Sequence, residues 1–173
     1  MVTDKTILID DFYLRSLKPE DVGVDYLSWF EDEKAKMFIE YARQKNYLND
    51  LICYVQDKND APNALLLGIF DKNNDCHIGN IKYEPIDFQR KTAVMGILIG
   101  KKEFRGQGLA QCIIKESANW LNKTYGIKNI ELGVKSENEI AISAYKKIGF
   151  TVTKIIENKN ETSNIIMILR VDH

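Results

Sequence analysis

The chain is poor in the residues that build metal sites, disulfide frameworks and membrane spans. Among 173 residues there are two histidines, His77 and His173, and three cysteines, Cys53, Cys76 and Cys112. With two histidines and no CxxC pair there is no ligand cluster, so neither structural nor catalytic zinc is expected. Three widely spaced cysteines do not form a disulfide framework; they read as small apolar fillers in a reduced, cytoplasmic setting. No apolar run approaches the roughly 18 residues of a membrane span, and the longest, Ala93–Gly100, contains two glycines. The start Met1–Lys5 lacks the basic and apolar parts of a signal peptide. Charge of one sign is missing too. The 24 Lys+Arg against 25 Asp+Glu leave a net charge of -1, without the basic excess of a nucleic-acid-binding domain. A local phosphate site is still compatible with that total.

What is present is the balance of a globular protein, with 45% hydrophobic and 28% charged residues, and the length fits one domain over residues 1–173. The pattern predicts a first strand over Thr6–Leu17, interrupted at Asp10-Asp11. A helix starts at Pro19-Glu20-Asp21 with Tyr26, Leu27, Trp29 and Phe30 on its apolar face, and a weaker one spans Leu48–Asp57. Strands follow at Ala64–Phe70, His77–Tyr83 and Thr92–Ile99, the first two joined as a hairpin by Asp71–Asp75. Gly108 to about Tyr125 reads as a helix and Asn129–Lys135 as a strand. Glu137–Ile148 reads as a helix ended by Gly149, and Phe150–Ile156 and Ile165–Val171 close the chain as strands. This order predicts a mixed α+β sheet covered by helices, parallel late in the chain and antiparallel at the hairpins.

Chemistry concentrates at Arg105-Gly106-Gln107-Gly108-Leu109-Ala110, after a strand and at the mouth of a helix. Two glycines allow a tight turn and close approach to a ligand, and the first N–H groups of the helix are free to meet an anion such as a pyrophosphate. Lys101, Lys102 and Arg105 add positive charge there. The stretch is neither a GxxxxGK[ST] P-loop nor a GxGxxG fingerprint, since Gln111 stands where a third glycine would be. A plain strand-to-helix turn is the alternative.

Further on come Asn138, a helix carrying Tyr145, and Gly149-Phe150. With these, the sequence resembles the GCN5-related N-acetyltransferases (GNAT superfamily). Arg105, Gly108 and Ala110 match that family's [Q/R]-x-x-G-x-[G/A] loop, and Asn138, Tyr145, Gly149 and Phe150 match its second signature. The resemblance implies a GNAT-like fold: a mostly antiparallel sheet of about seven strands and about four helices, with the fourth and fifth strands splayed. It implies acetyl-CoA as co-substrate and no metal. It also implies that Ile97, Leu98 and Ile99 pair with the pantetheine arm and that Arg105, Gly106, Gln107, Gly108, Leu109 and Ala110 wrap the pyrophosphate. Asn138 would bond the pantetheine region, and Tyr145 would protonate the leaving thiolate. Spacing puts positions 138 and 145 on one helix face. On the residues alone, Asn138 can equally cap the helix and Tyr145 can simply pack. Lys146 and Lys147 read as a solvated face, and Trp29 and Trp120 as packing groups.

The usual strand glutamates of the family are absent: Ala93 and Gly133 stand at those places. Glu84 is the first candidate for the base, ahead of His77 and Asp87. Within the superfamily the chain resembles the RimJ/RimL-like branch, through Val24–Phe30 and His77-Ile78-Gly79-Asn80-Ile81. Those segments are similar to members from bacterial surface-sugar biosynthesis, which implies a small-molecule amine partner, a nucleotide-linked amino sugar before a protein N-terminus or a polyamine. A catalytically silent CoA-binding module is the reading from another class. Residues 30–49 are expected on the acceptor side. Neither nucleic acid nor membrane is an expected partner; a second copy of the chain is.

Overall fold

The structure is a computed structural model and describes residues 5–32, 47–158 and 161–171; most of the expected acceptor segment at 30–49 lies outside them. Eight strands form one sheet in the order β1-β2-β3-β4-β5-β6-β8-β7. They are β1 (Ile7–Ile9), β2 (Phe12–Ser16), β3 (Leu65–Asp71), β4 (Cys76–Asp87), β5 (Thr92–Ile99), β6 (Asn129–Lys135), β7 (Thr151–Asn158) and β8 (Glu161–Arg170). The helices are α1 (Val24–Trp29), α2 (Leu48–Asp60), α3 (Leu109–Tyr125) and α4 (Glu139–Ile148). Short 3-10 turns stand at Pro19–Asp21 and Lys102–Phe104. None of the described helices is long and apolar enough to cross a membrane.

This is the mixed, mostly antiparallel architecture that the sequence implies, with one strand more. The segment expected as a single interrupted strand is two, because Asp10 takes a positive φ of 39° and reverses the chain into a hairpin. That hairpin shifts the numbering, so the expected fourth and fifth strands are β5 and β6. β4 is also longer than expected. It runs past Pro85, where a register irregularity between Tyr83 and Ile86 lets the pairing resume against Ala93 and Thr92.

The sheet separates two cores. Under α3 and α4 lie Leu67, Ile69, Ile81, Tyr83, Met95, Ile113, Leu121, Leu132 and Met167. Under α1 and α2 lie Leu17, Tyr26, Trp29, Leu51, Val55, Leu66 and Phe70. Alternation along each strand sends neighbouring residues to opposite cores, as Leu66 and Leu67 show. β5 pairs with its parallel neighbour β6 only over Thr92–Val94 against Asn129–Glu131. Beyond Val94 the two strands part, while β5 stays paired with β4 up to Ile99.

Where β5 ends, Gly100 lies directly against the Trp29 indole: a Cβ at position 100 would come within 1.9 Å of Trp29 Cδ2. Gly100→Ala therefore forces the indole out of its core. The expected loss is about 1–3 kcal/mol of unfolding free energy, read as a lower urea midpoint at unchanged m-value. An unchanged midpoint would show that the indole yields at no cost.

Candidate active site

The parting of β5 and β6 opens a cleft of about 670 Å³ between the start of α3 and one face of α4, within the size range of ligand pockets. Gly106, Gly108, Leu109 and Ala110 line one wall, Ser143, Ala144, Tyr145 and Lys147 the other, with Ile99 at its floor. Gly106 (φ +77) and Gly108 (φ +80) carry left-handed backbone, and a Cβ at either would meet nothing within 4 Å. Glycine is thus there for the turn and for an open approach. The first closed turn of α3 begins with Gln111 N–H and Cys112 N–H, both donating to Gly108 O. The N–H groups of Leu109 and Ala110 precede that turn and are presented to the cleft. Together with the helix dipole they make an anion-binding end.

The expected cluster of cations does not stand free at this end. Arg105 turns back on the chain: Nε donates to Ile99 O (2.8 Å) and Nη2 to Gly100 O (2.8 Å), while Nη1 lies 3.4 Å from Asp32 Oδ2. Lys102 Nζ lies 3.0 Å from the same carboxylate and Lys101 Nζ 3.9 Å from Asp25. Asp32 is nearly buried and holds the guanidinium at its side, while Arg105 still contributes to the cleft lining. Arg105 fixes the end of β5 to the loop and so positions it. It also occupies Ile99 O, one of the carbonyls expected to be open.

Several other expected site residues do not line the cleft. Gln107 donates to Glu103 O (2.7 Å). Ile97 and Leu98 line a second cavity rather than the cleft. Asn138 is the N-cap of α4, outside the helix, and its side chain accepts from Ala141 N–H at 3.3 Å. It is therefore not on a helix face with Tyr145, as the spacing had implied. Lys147 is exposed, as its solvated reading expected, and it also stands on the cleft wall. Its signal was present in the three- and four-residue spacing from Ser143 and Ala144.

Tyr145 packs its ring on Phe150 (centroids 5.6 Å) and lines the cleft together with Ile99. Burial pushes its phenol above the ordinary value, so the hydroxyl keeps its proton at neutral pH.

The candidate bases do not fit. Glu84 is not among the residues of the cleft wall. Lys58 donates to its Oε1 (2.6 Å) and Lys82 to its Oε2 (3.0 Å). Burial alone would raise this carboxyl, but the two lysines outweigh it and hold it below the usual carboxylate range. Both oxygens are thus engaged, and the group is a poor proton acceptor. His77 is enclosed by the rings of Phe70, Trp29 and Tyr26, away from the cleft wall. Asp87 accepts from the N–H groups of Gln89 and Arg90 in the turn after β4. Among the described residues there is no group of three His, Cys, Asp or Glu side chains able to hold a metal ion.

Residues 11–151 match the family model described as acetyltransferase (GNAT) domain. The chain belongs to the GNAT acetyltransferase family. An N-alpha-acetyltransferase of Saccharolobus solfataricus is 24% identical over 151 residues, covering 85% of this chain and 84% of that protein. Among solved structures, the ribosomal L7/L12 alpha-N-protein acetyltransferase RimL in complex with coenzyme A is similar in fold. It has a TM-score of 0.84 at 14% identity over 97% of this chain and 99% of that one. The spermidine N-acetyltransferase from Vibrio cholerae in complex with CoA and spermine has a TM-score of 0.80 at 17% identity over 93% and 96%. The GNAT assignment thus rests on the family match, and the structural likenesses add the fold.

Proposed function

We propose that this chain transfers the acetyl group of acetyl-CoA to the primary amine of a small acceptor, and that the cleft between α3 and α4 receives the coenzyme. The observation that carries this reading is the meeting, in one cleft, of an anion-binding helix end, the parted end of β5 and a protonated Tyr145. Bound acetyl-CoA would supply a thioester whose C–S bond breaks as the C–N bond forms. The acceptor nitrogen then gives up a proton and the departing sulfur takes one. The N–H groups of Leu109 and Ala110 would face the pyrophosphate, with Lys147 across the cleft. Ile99 and the parted strand edge would align the pantetheine arm. Tyr145 would give its hydroxyl proton to the sulfur and regain one from solvent. With Glu84 tied to two lysines, the acceptor's proton leaves to water, and catalysis rests chiefly on positioning.

The acceptor favoured by the sequence resemblance is a nucleotide-linked amino sugar; the relatives named for protein N-termini and for spermidine mark the other readings. Release of free thiol from acetyl-CoA, measured across a panel of primary amines, tests the reaction. Acceleration by at least one amine supports it. If acetyl-CoA raises thermal stability while no amine accelerates release, the chain binds CoA without transferring the acetyl group.

Arg105 gives a second test. Its fork makes two carbonyl bonds while also facing Asp32, which a single ammonium cannot reproduce. Arg105→Lys is expected to weaken acetyl-CoA binding by about tenfold, a loss of about 1.4 kcal/mol, by loosening the loop. Calorimetric titration would show it, and an unchanged Kd would mean that the loop holds its shape unaided.

A further inference from the structure

Cations that take no part in the cleft gather at the other end of the sheet, where β5 and β6 begin side by side. There the N–H groups of Lys128 and Asn129 donate to Lys91 O (2.8 and 3.1 Å). Val171 N–H donates to Lys128 O (2.8 Å), and Arg170 stands opposite Asn129 in register. Lys91, Lys128 and Arg170 thus come from three neighbouring strand ends. Lys123 follows Asn122 in the last turn of α3, where the Asn122 amide donates to Ile127 O (2.8 Å) and Val171 O (3.2 Å).

A third cavity, of about 260 Å³, opens beside them between α3 and the end of β8. Ala118, Ile148 and Val171 give it a buried apolar floor, and exposed Lys115, Glu116 and Arg170 complete its lining. It shares only Ile148 with the cleft. Lys91, Lys115, Lys123, Lys128 and Arg170 are all exposed, and none has a side-chain hydrogen bond or ion pair among the described residues. The acids on the same elements do not balance them. Asp87 accepts from the turn after β4 and lies 3.8 Å from Arg90. That leaves Glu116 in the cavity and Glu131 farther along β6 against five positive charges. The whole chain carries -1, so the excess is a local segregation of charge.

We infer that this end of the sheet is a docking site for an extended acidic peptide segment. One aliphatic side chain of the segment enters the cavity, and the flanking carboxylates meet Arg170, Lys128 and Lys91. A nucleic acid brings phosphates for the cations but no aliphatic side chain for the floor, so the peptide satisfies both halves of the site. The cleft opens at the opposite end of β5, at Ile99, so the segment and acetyl-CoA are held at the same time.

Fluorescence anisotropy of a labelled Asp-Glu-Leu-Glu-Asp peptide on the intact chain tests this. Replacing the peptide's leucine by glycine, or its acids by their amides, is expected to weaken binding about tenfold in each case. Binding of the parent peptide should fall as salt rises. Lys128→Gln with Arg170→Gln should also cost about tenfold, and Glu116→Gln should tighten binding. Lys72→Gln, in the turn between β3 and β4, should leave binding as it is. These substitutions are at exposed positions, and thermal stability and acetyl-CoA affinity should hold in each. Failure of the parent peptide to bind at low salt would overturn the assignment. So would equal binding of the glycine or amide peptide, an unaffected double variant, or an equal loss in Lys72→Gln. Tighter binding of oligothymidylate than of the peptide would assign the cations to nucleic acid instead.

Discussion

Tyr145→Phe is expected to lower kcat by about 100-fold or more while leaving acetyl-CoA affinity within about twofold, since a positioned proton donor contributes roughly 10²–10⁴ in rate. The substitution keeps the ring on Phe150 and deletes the hydroxyl, so stability should hardly move. The hydroxyl acts when negative charge develops on the departing sulfur, so kcat and kcat/KM should fall together. Because burial pushes the phenol above its ordinary value, no loss of rate from its ionisation is expected up to about pH 10. Single-turnover thiol release with saturating amine is the measurement. An unchanged rate constant would leave Tyr145 a packing residue on α4, and protonation of the thiolate would then fall to water.

Local pattern carried most of the fold. Strand alternation in β3, β5 and β6 and the apolar stripe of α3 are properties of neighbouring residues, and the structure places these elements within one or two residues of the expected bounds. The glycine pair at 106 and 108 was legible for the same reason: a turn with left-handed backbone must be written locally. What the pattern could not convey is pairing at a distance. Arg105 meets Asp32 across 73 residues, and Glu84 meets Lys58 across 26. Read singly, Arg105 looks like an anion ligand and Glu84 like a base. The partner reverses both: one becomes a brace for the end of β5, the other a carboxylate already engaged. Asn138 shows the limit from the other side, where a half-turn difference in the start of α4 moves a side chain from the helix face to the cap. The second cavity was invisible because its lining comes from α1, α2, β4 and β5, which sequence spacing does not bring together.

His77 is expected to make the protein's stability depend on pH in a window separate from its carboxylates. Its imidazole stacks on Phe70 (5.0 Å) and lies 4.8 Å from the Trp29 ring and 5.4 Å from that of Tyr26, with a buried Nε2 that has no hydrogen-bond partner among the described residues. Burial pushes its pKa down to about 4, against a backbone hydrogen bond at Gly79 and the field of Asp21, and with the fields of Arg15 and Lys101. The unfolded chain binds this proton near the ordinary value of about 6.5, whereas the folded chain refuses it until about pH 4. Between those values the unfolded state holds more protons, so stability is full above the upper limit and drains away as pH falls to the lower one. The shift corresponds to about 3 kcal/mol, at about 1.4 per unit. Asp21 and Glu84 are held below the ordinary carboxylate range, so the stability they add is lost mainly at still lower pH. Urea unfolding at several points between pH 7 and pH 4 should therefore show a falling midpoint in the wild type and a nearly flat one in His77→Phe, which keeps a ring in the aromatic cluster. Parallel slopes in the two proteins would show that the imidazole is protonated in the folded state, and that the rings around it admit more water than their packing implies.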